Sequence, residues 1–317
     1  MDERHRHDPR VHPRHALLLP RHARARLGER RPARRRHPPL AHPREGRLRG
    51  EGPLSVLDAL TAGALEDAAR RREQLPADRL EAIALQSRTP LDAASLLSTP
   101  KADSPGPHII AEVKRASPSK GPLADIPEPA ALASSYAAGG ASAISVLTEE
   151  RRFLGSLDDL RAVREAVQVP VLRKDFIADE YQLLEARAFG ADIVLLIVAS
   201  LEPARLVQLH RFANGLGLSV LVEVHDEREI DAALAADARI LGVNTRDLKT
   251  FTMHPERFAE LRERIPAGTV AVAESGVRSA ADVARYRQDG ADAVLVGEAL
   301  VTDGDPASRV REFGRAA

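Results

Sequence analysis

In the stretch AEVKRASPSKG, residues 111–121, Glu112 and Lys114 stand two apart at the end of the apolar run His108-Ile109-Ile110-Ala111. On a strand, residues two apart share one face. A carboxylate and an ammonium on one face of an apolar strand are costly unless they pair or line a polar cavity. The same arrangement recurs along the chain. Short apolar runs end in Lys174-Asp175, in Glu223, in Asn244 followed by Arg246 and Asp247, in Glu274-Ser275-Gly276 and in Gly297-Glu298. One polar residue at a strand end is usually a cap or a satisfied structural group. Six such ends, with two of the chain's five lysines and three glutamates, are more than capping requires. Lysines can hold anions and deliver protons, and glutamates can act as general acids or bases. Ser275-Gly276 and Gly297, each read as leading into a helix, can aim backbone N–H groups at a phosphate, and glycine permits close backbone approach. No His pair or HxH stands at a strand end, so a metal site is not indicated.

The elements that must carry these residues form a regular series. Apolar runs rich in Val, Ile and Leu fall at 108–113, 143–147, 169–173, 192–198, 218–224, 239–243, 269–273 and 292–296. They lack strict alternation, as strands buried on both faces do. Helical patterns separate them at 128–139, 156–167, 179–189, 201–214, 226–236, 255–264, 279–289 and 306–315. Gly140, Gly190 and Gly290 each close a helix just before the next strand, where a left-handed residue is needed. Eight β-α units in about 210 residues predict an α/β fold, a closed (β/α)8 TIM barrel whose C-terminal rim carries the active site. An open doubly wound sheet is the structural alternative, and its usual GxGxxG turn is absent. The pattern therefore predicts a barrel enzyme performing acid–base chemistry on a phosphorylated small molecule.

Outside the barrel, 54–107 reads as an N-terminal helical extension and linker. Helical spacing covers 54–72 and 77–86, and Pro90, Pro100, Pro105 and Pro107 break the remainder. Residues 1–53 hold fifteen arginines, no lysine and six acids, a net of +9 against −9 for the rest of the chain. So basic and apolar-poor a segment is expected to be disordered. It reads first as non-native sequence ahead of the true start, with a transit peptide or a nucleic-acid arm as alternatives. It contains no aromatic residue to stack on bases. The chain has no cysteine, which fits a reducing cytoplasm and excludes disulfides and thiolate metal sites. No apolar run reaches the roughly 18 residues of a membrane span.

The strand-end stretches AEVKRASPSKG (111–121), SVLTEERRFLGS (145–156), VLRKDFI (171–177), DIVLLIV (192–198), LVEVHD (221–226), GVNTRDL (242–248), AESGV (273–277) and LVGEAL (295–300) resemble the indole-3-glycerol phosphate synthase family in order and spacing. The resemblance runs from residue 54 to about 316. It implies a carboxy-lyase of tryptophan biosynthesis that converts 1-(2-carboxyphenylamino)-1-deoxyribulose 5-phosphate to indole-3-glycerol phosphate, without cofactor or metal. It implies Lys174 as general acid. Lys114 and Arg246 would hold the substrate carboxylate, and Asn244 would orient groups beside it. Glu112 and Glu223 would form the acid–base pair of dehydration, with the two roles not divided between them. Ser117, Ser275 and Gly297 are assigned to the phosphate and nearby contacts, and Glu274 and Gly276 to substrate binding. Phe153 is either a wall for the anthranilate ring or a loop side chain packed on the rim. The extension from Leu54 would cap the pocket. The expected partner is the phosphorylated substrate, with no nucleic acid or membrane, for a cytoplasmic monomer or weak oligomer. Two rival readings were weighed. Phosphoribosylanthranilate isomerase needs a cysteine base that this chain lacks. A non-catalytic barrel with a nucleic-acid-binding tail would leave the strand-end set without a purpose.

Overall fold

The computed structural model describes residues 55–101, 104–247, 252–301 and 304–317. The expectation of a disordered tail over 1–53 lies outside the described residues. Eight parallel strands close into a barrel. They are β1 His108–Val113, β2 Ala143–Leu147, β3 Val171–Lys174, β4 Ile193–Ile197, β5 Ser219–Val224, β6 Ile240–Asn244, β7 Val270–Glu274 and β8 Ala293–Val296. Each pairs with its neighbour in sequence, and β8 pairs with β1, so no strand edge is left open. The third strand starts at Val171 rather than 169. Pro170 has no N–H to give a ladder; its carbonyl instead accepts from Ile144 N. At the other ends, the ladder runs one residue further than the apolar patterns predict, taking in Lys174, Asn244 and Glu274.

Among the described residues three helices precede the barrel: α1 Val56–Gln74, α2 Ala77–Gln86 and α3 Ala93–Ser98. Ser55 and Asp58 form a capping box at the start of α1. The third helix lies in the stretch read as a proline-broken linker, and the difference has a local cause. Asp92 accepts a hydrogen bond from Ser95 N and starts the turn. Ala93, Ala94 and Leu97 then bury against Ile193, Ile240, Val270 and Ala293, the first residues of their strands. The helix thus plugs the N-terminal end of the barrel.

Around the barrel follow α4 Pro129–Ala138, α5 Leu157–Ala166, α6 Glu180–Ala188, α7 Pro203–Gly215, α8 Glu227–Ala235, α9 Arg257–Arg262, α10 Ala280–Gln288, the four-residue α11 Glu298–Val301 and α12 Pro306–Gly314. Gly140, Gly190 and Gly290 have φ of 93°, 88° and 91°, the left-handed closure expected of them. The outward faces of the strands pack under these helices as one apolar layer. The inward faces form a second layer that includes Ile110, Leu172, Leu195, Leu221, Val272 and Leu295. Among the described residues no helix is long and apolar enough to cross a membrane.

The plug makes a direct prediction. Leu97 is 2% exposed, so Leu97→Ala is expected to lower unfolding stability by about 2–4 kcal/mol while leaving turnover near the parent value at low temperature. A thermal melt checks this. An unchanged midpoint would show that α3 does not seal the barrel.

Candidate active site

Two-residue periodicity carries the inward layer up to the rim. Above Ile110 on β1 stand Glu112 and then Lys114. Above Leu172 stands Lys174, above Leu221 Glu223, above Ile240 and Gly242 Asn244, above Val272 Glu274, and above Leu295 Gly297. The ladder fixes their relative heights. Glu112 pairs in register with Ser145, Leu147 with Lys174, and Asn244 with Glu274. Because all eight strands are parallel, these side chains meet at one end, and all of them line one cavity of about 190 Å³.

Lys174 is the centre of the charge arrangement. Its ammonium lies 3.2 Å from Glu274 Oε2 and 3.6 Å from Glu223 Oε2. Burial alone would lower the lysine pKa, but Glu274, Glu223 and Glu112 outweigh it and push it up, so the ammonium keeps its proton. The two carboxylates diverge. Burial raises Glu274, the neighbouring anions add to this, and despite Lys174 it reaches about 7. Burial would raise Glu223 as well, but Lys174, His225 and Asn244 overcome it and hold it below the usual carboxylate range. Glu112 is likewise held low against burial, by Lys114 at 2.6 Å and by Lys174.

Asn244 is fixed by three hydrogen bonds. Its Nδ2 donates to Glu223 Oε1 at 3.0 Å, and its Oδ1 accepts from Ser275 Oγ at 2.9 Å and from Arg246 N at 3.0 Å. Ser275 has φ of 69° and Gly276 of 78°. A serine in the left-handed region is strained; Ser275 donates to Asn244 and its carbonyl accepts from Tyr286 Oη at 3.2 Å. Val277-Arg278-Ser279 connect Ser275-Gly276 to α10, which starts where the 279–289 pattern placed it. Two consecutive left-handed residues re-aim the chain before that connection. Gly297 does lead straight into α11. A β-carbon at Gly297 would lie 2.8 Å from Glu112 Oε1, so glycine there makes room for the carboxylate.

All twelve residues nominated from sequence line this cavity: the side chains above together with Ser117, Phe153, Arg246, Ser275 and Gly276. Lys174, Glu112 and Glu223 share one rim. Phe153 lines the cavity and faces Phe176 with ring centroids 6.0 Å apart. Sequence reasoning passed over Phe176, Leu195 and Ile197, which also line the cavity; inward alternation from Lys174 and Glu223 was the signal available. It also passed over His225 behind Glu223, and over the ion pair of Lys120 with Glu298 at 2.5 Å across the mouth. Val56, Leu57 and Leu60 of α1 form the roof. That helix is tied down by Arg151 to Asp67 at 2.6 Å and by Arg71 to Glu185 at 2.6 Å.

Gly242 shows how tightly the group is packed. A β-carbon there would collide with Glu274 Oε1. Gly242→Ala should displace Glu274 from Lys174 and lower turnover by at least about tenfold, since misplacement near 1 Å can cost about a hundredfold. Steady-state kinetics on variant protein with a native circular-dichroism spectrum would check this; near-parent turnover would show that Glu274 need not sit where it does.

Comparison with known proteins agrees with this geometry. The family model for indole-3-glycerol phosphate synthase matches residues 57–313. The indole-3-glycerol phosphate synthase of Leifsonia xyli is 57% identical over 261 residues, covering 82% of this chain and 98% of that protein. That of Micrococcus luteus is 54% identical over 260 residues, covering 82% and 97%. Among solved structures, 3-hexulose-6-phosphate synthase from Salmonella typhimurium superposes with a TM-score of 0.54 at 20% identity, covering 65% of this chain and 96% of that one; a match so remote bears on the barrel fold alone. With the family model spanning the barrel and most of α1, and relatives above half identity, the chain belongs to the indole-3-glycerol phosphate synthase family.

Proposed function

We propose that this protein is a carboxy-lyase that closes the indole ring of tryptophan biosynthesis. It converts 1-(2-carboxyphenylamino)-1-deoxyribulose 5-phosphate to indole-3-glycerol phosphate, carbon dioxide and water. The observation that carries the reading is the convergence of Lys114, Lys174, Glu112, Glu223 and Glu274 on one phenylalanine-walled cavity in a member of this family.

The chemistry follows from the charges. The ring carbon bearing the carboxylate attacks the ribulose ketone, and Lys174 donates a proton to the developing alkoxide. Its strongly held ammonium is suited to stabilising that oxyanion. Lys114 and Arg246 hold the substrate carboxylate until carbon dioxide leaves, returning the electron pair to the six-membered ring. Dehydration then needs one group to protonate the departing hydroxyl and another to remove a proton from the new five-membered ring. Glu112 and Glu223 are assigned to this step. Asn244 orients Glu223, and Glu274 buttresses Lys174. Ser117, Ser275, Gly276 and Gly297 receive the phosphate, and Phe153 flanks the anthranilate ring. Within the N-terminal extension, α1 serves as the roof of the cavity. Cytoplasmic location and a monomer or weak oligomer belong to the same proposal.

The test is the fluorescence of indole-3-glycerol phosphate formed from the carboxyphenylamino substrate; failure of the purified protein to form it would overturn the reading. Lys174→Ala is expected to lower kcat by at least about 10²-fold with little change in folding, and near-normal turnover would remove Lys174 from its role. Glu223→Gln is expected to slow dehydration, so a single-turnover trace should show an intermediate accumulating. A trace superimposed on the parent's would discard that assignment.

A further inference from the structure

His225 directly follows the end of β5, two residues beyond Glu223, and does not line the cavity. Its surroundings are unusual for a structural histidine. The side chain is only 12% exposed and lies between two carboxylates. Nδ1 is 3.0 Å from Glu229 Oε2, which also accepts the His225 backbone N–H at 2.7 Å. Glu229 sits in the first turn of α8, fixed by its own N–H to Asp226 Oδ1 at 2.9 Å. The ring is therefore clamped from one side, which leaves Nε2 aimed the other way. Nε2 is buried without a hydrogen-bond partner and stands 3.5 Å from Glu223 Oε1. A neutral ring donating Nδ1–H to Glu229 would turn a lone pair on Nε2 toward a carboxylate oxygen, which is repulsive. A protonated ring presents N–H to both carboxylates.

We propose that His225 is a positioning residue for the ring-closing reaction, an imidazolium clamped by Glu229 that holds Glu223 as the oriented anion beside Lys174. The inference rests on the function proposed above. It explains an asymmetry that the distances to Lys174 do not. Glu223 and Glu274 flank the same ammonium at similar range. Glu223 Oε1 is faced by Asn244 and by His225, whereas Glu274 Oε1 is buried with no partner. His225 thus joins Lys174 and Asn244 in keeping the charge on Glu223, and nothing equivalent faces Glu274 Oε1. The titratable groups that act on it are Glu223 on β5 and Glu229 on α8, and beyond Glu223 lie Lys174 on β3 and Glu274 on β7. The two carboxylates lift its pKa to about 10 against burial, which acts in the opposite direction.

Removing a cation beside Glu223 favours the protonated acid, so a higher pH is needed to ionise it. His225→Gln is expected to lower kcat by at least about tenfold with KM little changed, and to move the acidic limb of the kcat profile to higher pH by roughly one unit or more. Glu229→Gln should shift the limb in the same direction by less, and it decides the matter if His225→Gln does not fold. Parent protein is assayed alongside on the carboxyphenylamino substrate. An inactive parent would overturn the functional reading itself. An active parent with variants that keep its kcat and its limb, whatever their melting temperature, would overturn the role of His225 alone.

Discussion

The structure depends on one buried ammonium. Lys174 stands at the top of a cylinder otherwise filled by Leu, Ile, Val and Ala. An unpaired charge in such a place would be costly by several kcal/mol even after relaxation. Two carboxylates lie within 4 Å of it, and Glu112 adds its field. Lys114 in turn answers Glu112. With Glu274 protonated, the two lysines and the two remaining glutamates balance. Glu274 is driven toward that state by burial and by its neighbouring anions. The group is held together by mutual charge and not by solvent, which leaves fixed dipoles and charges ready where an alkoxide forms.

That arrangement is possible only because the barrel is closed and parallel. Inward residues recur at every second position of each strand, and the hydrogen-bonded register sets where each stands against those of its neighbours. Below the charged layer the inward positions are aliphatic, and α3 closes the lower end. Small residues appear where the charged layer would otherwise collide: Gly242 under Glu274 and Gly297 beside Glu112. Packing and chemistry are therefore the same constraint at these positions.

The roof is attached by charges buried under the helices. Arg173, wholly buried on the outward face of β3, reaches Thr148 at 3.1 Å, Asp175 at 2.9 Å and Glu185 at 3.2 Å. Glu185 also takes Arg71 of α1. The strand that carries Lys174 inward thus carries on its opposite face the arginine whose partner anchors the roof. Substitution of Arg173 would remove the buried guanidinium that pairs with both Asp175 and Glu185.

The amino-acid sequence by itself determined the barrel and the membership of its rim. Runs of Val, Ile and Leu repeated eight times, and polar residues followed them at the two-residue step that only a strand explains. Glu112, Lys174 and Glu223 were legible on that ground, because strand periodicity is local. The sequence did not determine which carboxylate stays charged, since that depends on His225, Asn244 and Glu229, brought together from three separate elements by strand pairing and helix packing. Nor did it reveal α3, whose six residues are stabilised by burial against four strand starts far along the chain, or the second phenylalanine of the cavity wall. Electrostatic roles are set by distance and exclusion of water, and both exist only once the chain has closed on itself.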